Sequence, residues 1–228
     1  MAANRDRIEQ WANQINQAGG TYHQLALGDG LMLEGDYDMR KYVDYYQLPK
    51  DLTGKTVLDV GTASGYFAIE CARRGAKVTA IDIWDEPLLI QINQLLELGI
   101  TYVKQNIYGL TPSFGQFDLV ICGSLLLHLS DQFAAIQRIR DVCKGQAVVS
   151  TACIEDSETT SRSICDFFGQ KATDGDYWAY WGVSAAALKK MFLAAGFSRV
   201  EHVDHFTLST EPKRVQYATP HVVMTGFV

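Results

Sequence analysis

The chain has 228 residues, 47 % apolar and 20 % charged, an ordinary soluble composition that suits one α/β domain with an N-terminal extension. The formal net charge of −6 argues against tight binding to a polyanion, because phosphate backbones are held mostly by Lys and Arg. The five cysteines are scattered with no C-x-x-C pair, which points away from a zinc site or a disulfide framework and toward burial in a reducing cytoplasm. The first residues show no apolar signal region, and no apolar run is long enough to span a bilayer.

In chain order, residues 4–18 predict a polar helix with Ile8, Trp11 and Ile15 on one face, ended by Gly19 and Gly20. Residues 21–35 read as irregular, with Gly28-Asp29-Gly30 as a turn, and a second short helix is expected over 38–47 before Leu48-Pro49. Residues 1–50 are therefore expected to form a helical extension or lid, and 51–228 the main domain. From there strands and helices alternate. A strand at 57–60 leads into a helix at 66–74, then come a strand at 78–83, a helix at 86–98 and a strand at 101–104. A strand at 117–122, a helix at 131–142 and a strand at 147–151 follow. Residues 154–183 are polar and aromatic without a clean period. A helix at 184–195 precedes two late strands at 200–208 and 221–228. This order predicts a doubly wound, mostly parallel, seven-stranded sheet whose last two strands, having no helix between them, form an antiparallel edge pair.

The strongest chemical signal is the run from Val57 to Ile83. A strand feeds a loop of Gly61, Thr62, Ala63, Ser64 and Gly65, and then a helix, for which Ser64 is a candidate N-cap. The next strand ends in Asp82, where a carboxylate can accept both ribose hydroxyls of a nucleoside cofactor. Ligands of open α/β sheets bind outside the carboxyl ends of the strands, and Asp59, Gly61, Asp82, Ile83, Asn106, Ile107 and Gly123 all fall at such ends. The third glycine of the dinucleotide fingerprint is missing, because Tyr66 and Phe67 stand there, so an NAD-type oxidoreductase is the weaker alternative.

The segment Leu58 to Phe67, with Arg73-Arg74-Gly75-Ala76 and Ile81-Asp82-Ile83, resembles motif I and the acidic motif after it in class I S-adenosylmethionine-dependent methyltransferases. Tyr22-His23, the stretch Asp51 to Lys55, Phe117 to Val120, Leu126-Leu127-His128, Tyr180 to Leu188 and Ala195-Gly196-Phe197 resemble a bacterial subgroup related to the tRNA 5-carboxymethoxyuridine methyltransferases. The resemblance implies S-adenosylmethionine as cofactor. Asp59, Gly61, Thr62, Ser64 and Gly65 would lie on its methionine and ribose side and Asp82 on the ribose hydroxyls. Ile83 would pack on the adenine, Asn106 and Ile107 would sit near the adenine amino group, and Gly123 under the sulfonium. Leu127 stands where the tRNA enzymes carry a tyrosine, and 178–183 lacks their proline. With the acidic charge, these departures favour a small-molecule acceptor over tRNA; a cofactor-binding protein without methyl transfer is the other alternative.

Methyl transfer from a sulfonium is an in-line displacement, so the protein mainly positions the nucleophile and strips it of water. His128 is the candidate general base, though it also reads as a histidine opening the helix behind it; His23 is a candidate for acceptor contact. Tyr22, Tyr37, Tyr177, Trp178 and Trp181 are the acceptor-site candidates, with Tyr42, Tyr45, Tyr46 and Tyr180 as further rings for a lid or for plain packing. His202 and His205, three apart on a strand, fall on opposite faces, so no shared metal is expected. Glu155 and Asp156 read as a solvated loop with a cation as the lesser alternative.

Overall fold

The computed structural model describes residues 2–154, 161–171, 177–212 and 216–228. The first helix, α1 (Ala2–Gln17), is followed not by irregular chain but by four short strands: β1 (Thr21–His23), β2 (Leu25–Gly28), β3 (Leu31–Leu33) and β4 (Gly35–Tyr37). The period is two: His23, Leu25 and Leu27 point inward. Asp29 and Gly30 take positive φ (49° and 78°), the backbone of a tight hairpin turn between β2 and β3. The helix expected over 38–47 is two 3₁₀ turns, Met39–Lys41 and Val43–Tyr46, broken at Tyr42.

Beyond them the expected alternation follows: β5 (Thr56–Val60), α2 (Tyr66–Arg73), β6 (Lys77–Asp82), α3 (Pro87–Leu96) and β7 (Thr101–Lys104). Then come β8 (Phe117–Gly123), α4 (Gln132–Val142) and β9 (Cys143–Ala152). The stretch taken as aperiodic contains a second hairpin, β10 (Cys165–Lys171) and β11 (Tyr177–Val183). The chain closes with α5 (Ala185–Ala194), β12 (Arg199–Ser209) and β13 (Ala218–Phe227).

The central sheet has seven strands in the order β12-β13-β9-β8-β5-β6-β7, parallel from β9 to β7, with β13 antiparallel to both β9 and β12. Strand period divides its side chains between two cores. Val57, Val78, Ala80, Leu119, Ile121, Val148 and Val223 face α2, α3 and the N-terminal segment. Leu58, Val60, Ile81, Val120, Cys122, Val149 and Met224 face α4 and α5. Residues 8–48 contribute Ile8, Leu25, Leu33, Met39 and Tyr46 to the first core, so the extension is packed into the domain rather than hinged over it. The chain runs outward from β5 through β6 to β7 on one side, and from β8 to β9 on the other. The order therefore reverses between β5 and β8, and that reversal opens the crevice at their carboxyl ends.

Candidate functional site

The crevice is framed by the loop between β5 and α2. Gly61, Ala63 and Gly65 all have positive φ (72°, 46° and 91°), so the chain coils tightly before it enters α2. Amides of Gly61 and Thr62 donate to the Ile81 carbonyl at 2.9 and 3.1 Å, tying the loop to β6. A Cβ on Gly65 would lie 2.4 Å from the Leu89 side chain, which is buried in the core. Gly65→Ala is expected to cost about 2 kcal/mol through overpacking and the left-handed backbone, read as a lower denaturant midpoint with an unchanged m-value.

Two carboxylates hold this loop, in different ways. Asp59 is 2 % exposed and accepts from Thr62 Oγ1 at 2.7 Å and from the Ala68 amide at 3.0 Å. Burial pushes its carboxyl up to about 7, against the two hydrogen bonds, with a smaller push from Asp82. Both bonds fall on Oδ2, so Asp59 braces the loop from beneath. Asp82, half-buried at the rim, accepts from the Ala63 amide at 3.1 Å and the Trp84 amide at 3.3 Å, and each oxygen keeps a further lone pair. Half-buried Glu86 beside it is pushed up to about 7, by burial first and by Asp82 second. Ile83 and Trp84 are exposed, 48 % and 66 %, an apolar shelf beside the Asp82 carboxylate.

The other strand-end residues differ in access. Asn106 is exposed, but its side-chain oxygen accepts from the Tyr108 amide at 2.9 Å, capping the 3₁₀ turn Ile107–Gly109. Ile107 is buried in the second core and offers little open surface. Gly123 packs against the N-terminal segment, since a Cβ there would meet Tyr46 at 2.7 Å and Phe67 at 3.1 Å. Ser64 does not cap α2; Gly65 is the N-cap residue, without a side-chain bond. Its hydroxyl instead accepts the His23 amide at 2.9 Å and meets His23 Nδ1 at 3.1 Å, stapling the N-terminal segment to the loop. His23 is 6 % exposed, and burial pulls its imidazole down to about 3. With Nδ1 against Ser64, His23 ties the N-terminal segment to the loop.

On the far side, His128 closes the 3₁₀ turn Leu126–His128; burial pulls its imidazole below the ordinary range, partly offset by a hydrogen bond to the Trp178 backbone. Four acceptor-site candidates can be followed. Tyr22 is 44 % exposed and lies 5.0 Å from Tyr37 and 4.7 Å from the His23 ring, centroid to centroid. Tyr217, near enough to Tyr37 to help raise its phenol, sits 6.0 Å from Trp178. Trp178 and Trp181 are three apart on β11 and fall on opposite faces. Trp181 donates Nε1–H to the Ser130 carbonyl at 3.0 Å and packs on Phe167, so it anchors the hairpin. Tyr42, Tyr45 and Tyr46 pack on Phe206 of β12, the plain-packing alternative. The side chains of Tyr177 and His202, and all of Glu155 and Asp156, lie outside the described residues.

Sequence pattern alone does not single out Tyr217 of the rim, nor Ser124 and His221. His221 is 2 % exposed on β13; its Nδ1 bonds the Thr219 carbonyl at 2.8 Å and its Nε2 meets Ser124 Oγ at 2.9 Å. No local pattern marks them, since 97 residues separate the pair.

The residues fit a nucleoside cofactor bearing a positive charge. Asp82 presents a carboxylate at the rim, Ile83 offers an apolar shelf, and the coiled loop has no third glycine to cradle a pyrophosphate. Comparison with known proteins agrees. A family model described as a methyltransferase domain matches residues 34–203. The chain is similar to ubiquinone biosynthesis O-methyltransferase of Pseudomonas paraeruginosa, 37 % identical over 105 residues, which cover 44 % of this chain and 45 % of that protein. The same enzyme of Escherichia coli O127:H6 is 36 % identical over 105 residues, covering 44 % of each chain. The match thus spans less than half the length of these relatives. Among solved structures, the N-terminal domain of EvdMO1 with S-adenosylhomocysteine bound superposes with a TM-score of 0.67 at 15 % identity, covering 98 % of this chain and 97 % of that one. Magnesium protoporphyrin IX methyltransferase from Synechocystis, also with S-adenosylhomocysteine bound, gives 0.56 at 20 % identity over 83 % of this chain and 81 % of that one. Both share its fold.

Proposed function

This chain belongs to the methyltransferase-domain family, and from that premise we propose that it transfers the methyl of S-adenosylmethionine to a hydroxyl of a small, flat acceptor. The observation that carries the reading is the coiled loop closed by Asp82 at the crevice, and the neighbouring rings Tyr22, Tyr37, Tyr217 and Trp178 support a flat acceptor. Asp82 would hold the ribose hydroxyls, Ile83 the face of the adenine, and the loop backbone from Gly61 to Gly65 the methionyl part. When bound, the cofactor supplies an already activated methyl group. The chain's own work is then positioning and drying: the rim rings stack on the acceptor and exclude water, and the His23–Ser64 staple holds the N-terminal wall against the loop.

A tRNA acceptor is less well supported, because the crevice residues named above include no Arg or Lys to meet phosphate. Cysteines Cys71, Cys122, Cys143 and Cys153 are buried and no described helix is long and apolar enough to cross a membrane, which suits a cytoplasmic enzyme. Calorimetric titration with S-adenosylhomocysteine is expected to give micromolar binding, and labelled S-adenosylmethionine is expected to methylate catechols but not bulk tRNA. Absence of binding by the folded chain sinks the reading; label in tRNA redirects the acceptor.

A further inference from the structure

Ser124 is the first residue beyond β8, at the topological reversal where the crevice opens. Its neighbour Leu125 packs over the glycine loop, with side-chain atoms 3.0–3.2 Å from where a Cβ of Gly61 would be. Ser124 therefore stands at the inner end of the crevice, beside the loop that would hold the cofactor. Ser124 is half-buried, and its partner is a buried histidine. A carbonyl oxygen only accepts, so the Nδ1 that bonds Thr219 O carries the hydrogen, and Nε2 offers a lone pair. Ser124 must then donate its O–H to His221 Nε2, 2.9 Å away. The ring cannot turn away from this task, for it is stacked on Phe206 at 5.4 Å and 20° in the sheet interior. Burial, with His128 adding a like-charge push, pulls its imidazole down to about 4, so it rests neutral and unprotonated. The arrangement is a serine whose proton already has a destination and whose oxygen keeps lone pairs for another donor.

Resting on the proposed methyl transfer, we infer that Ser124 and His221 form a proton relay for the acceptor hydroxyl. An acceptor oxygen lone pair forms the new oxygen–methyl bond while the methyl–sulfur bond breaks and leaves its electron pair on sulfur. The acceptor proton moves to Ser124 Oγ as the serine proton moves to His221 Nε2. The resulting imidazolium, disfavoured by burial, gives its proton back through Ser124 to solvent once product leaves. Ser124 is the group that touches the acceptor; His221 acts through it as a positioning residue and proton sink.

The test compares catechol with 4-nitrocatechol, whose hydroxyl para to the nitro group is already ionised near neutral pH, so that methylation at that oxygen, read from the regiochemistry of the product, has no proton to relay. In the full chain, Ser124→Ala and His221→Gln are each expected to lower kcat on catechol about 100-fold with KM little changed, and to leave 4-nitrocatechol within about threefold. Ser124→Thr, which keeps the hydroxyl, is expected to restore most of the rate. Calorimetry with S-adenosylhomocysteine checks that each variant is folded, and Ser124→Ala carries the test alone if the buried His221→Gln is not. Equal losses on the two acceptors, or undiminished turnover of catechol, overturn the relay. A wild type that binds S-adenosylhomocysteine but methylates neither probe overturns the hydroxyl acceptor and the relay with it. A wild type that fails to bind overturns the methyl-transfer reading beneath both.

Discussion

Replacing Asp82 with alanine is expected to weaken S-adenosylhomocysteine binding by at least about 100-fold, because two hydrogen bonds from ribose hydroxyls to a charged acceptor are lost at about 1.5–3 kcal/mol each. Fold stability should change far less. Asp82 is half-buried at the rim, and among the described residues its side chain accepts the Ala63 and Trp84 amides, both at lengths typical of modest bonds. The substitution thus separates ligand from scaffold. Calorimetry reads the affinity, and a thermal melt without ligand reads the fold. Asp82→Asn keeps one acceptor oxygen, and its affinity should fall between the two, about 10-fold below wild type. Alanine at 82 binding within threefold of wild type would remove the carboxylate from the cofactor site and with it the central reading.

The neighbouring carboxylate should behave in the opposite way. Asp59→Ala strands the Thr62 hydroxyl and the Ala68 amide in a buried place and leaves a void beneath the loop. Each unsatisfied group costs about 1–3 kcal/mol, so a total of about 3 kcal/mol is expected, or about 6–12 °C in a chain of this size. Ligand affinity would follow only through the disordered loop. The carboxyl also carries a pH signature. Its folded value, about 7, lies above the ordinary carboxylate value, so the folded state binds the proton more tightly than the unfolded chain does. Stability from this group is therefore lost as pH rises from about 4 to about 7, the reverse of a salt-bridged aspartate. Asp59→Asn, which cannot ionise, is expected to flatten that slope in denaturant melts at pH 5 and pH 7.5; a slope unchanged by the substitution would show that Asp59 is ionised in the folded state throughout.

These two aspartates mark the boundary of what residue pattern alone can say. Both stand near strand ends, Asp59 two residues before Gly61 and Asp82 at the last position of β6, and both read as ligand contacts in sequence. Strand period separates them: Asp59 belongs to the row of β5 that faces inward under α2, and only the packed helix shows its Oδ2 held by Thr62 and Ala68. The same holds for the N-terminal fifty residues. The turn at Asp29-Gly30 was visible, but the leucines at 25, 27, 31 and 33 at period two were not read as a hairpin, because runs so short gain stability only by docking on a core. The β10–β11 hairpin escaped for the same reason, its aromatic residues being divided between opposite faces and a packing partner near Ser130.

The sequence by itself determined the alternation of strands and helices, the coiled loop from Gly61 to Gly65 and the carboxylate at the end of β6. Each is written in backbone preference and side-chain period within a few neighbouring residues. Tertiary structure alone decided which polar groups meet. Ser64 with His23 across 41 positions and Tyr46 with Ser150 across 104 are brought together by the packing of the N-terminal segment on the domain, and Ser124 with His221 across 97 by β13 entering the sheet between β9 and β12. Such pairings depend on how far-apart segments cross over the sheet, and a crossover leaves no periodic trace in the residues it joins.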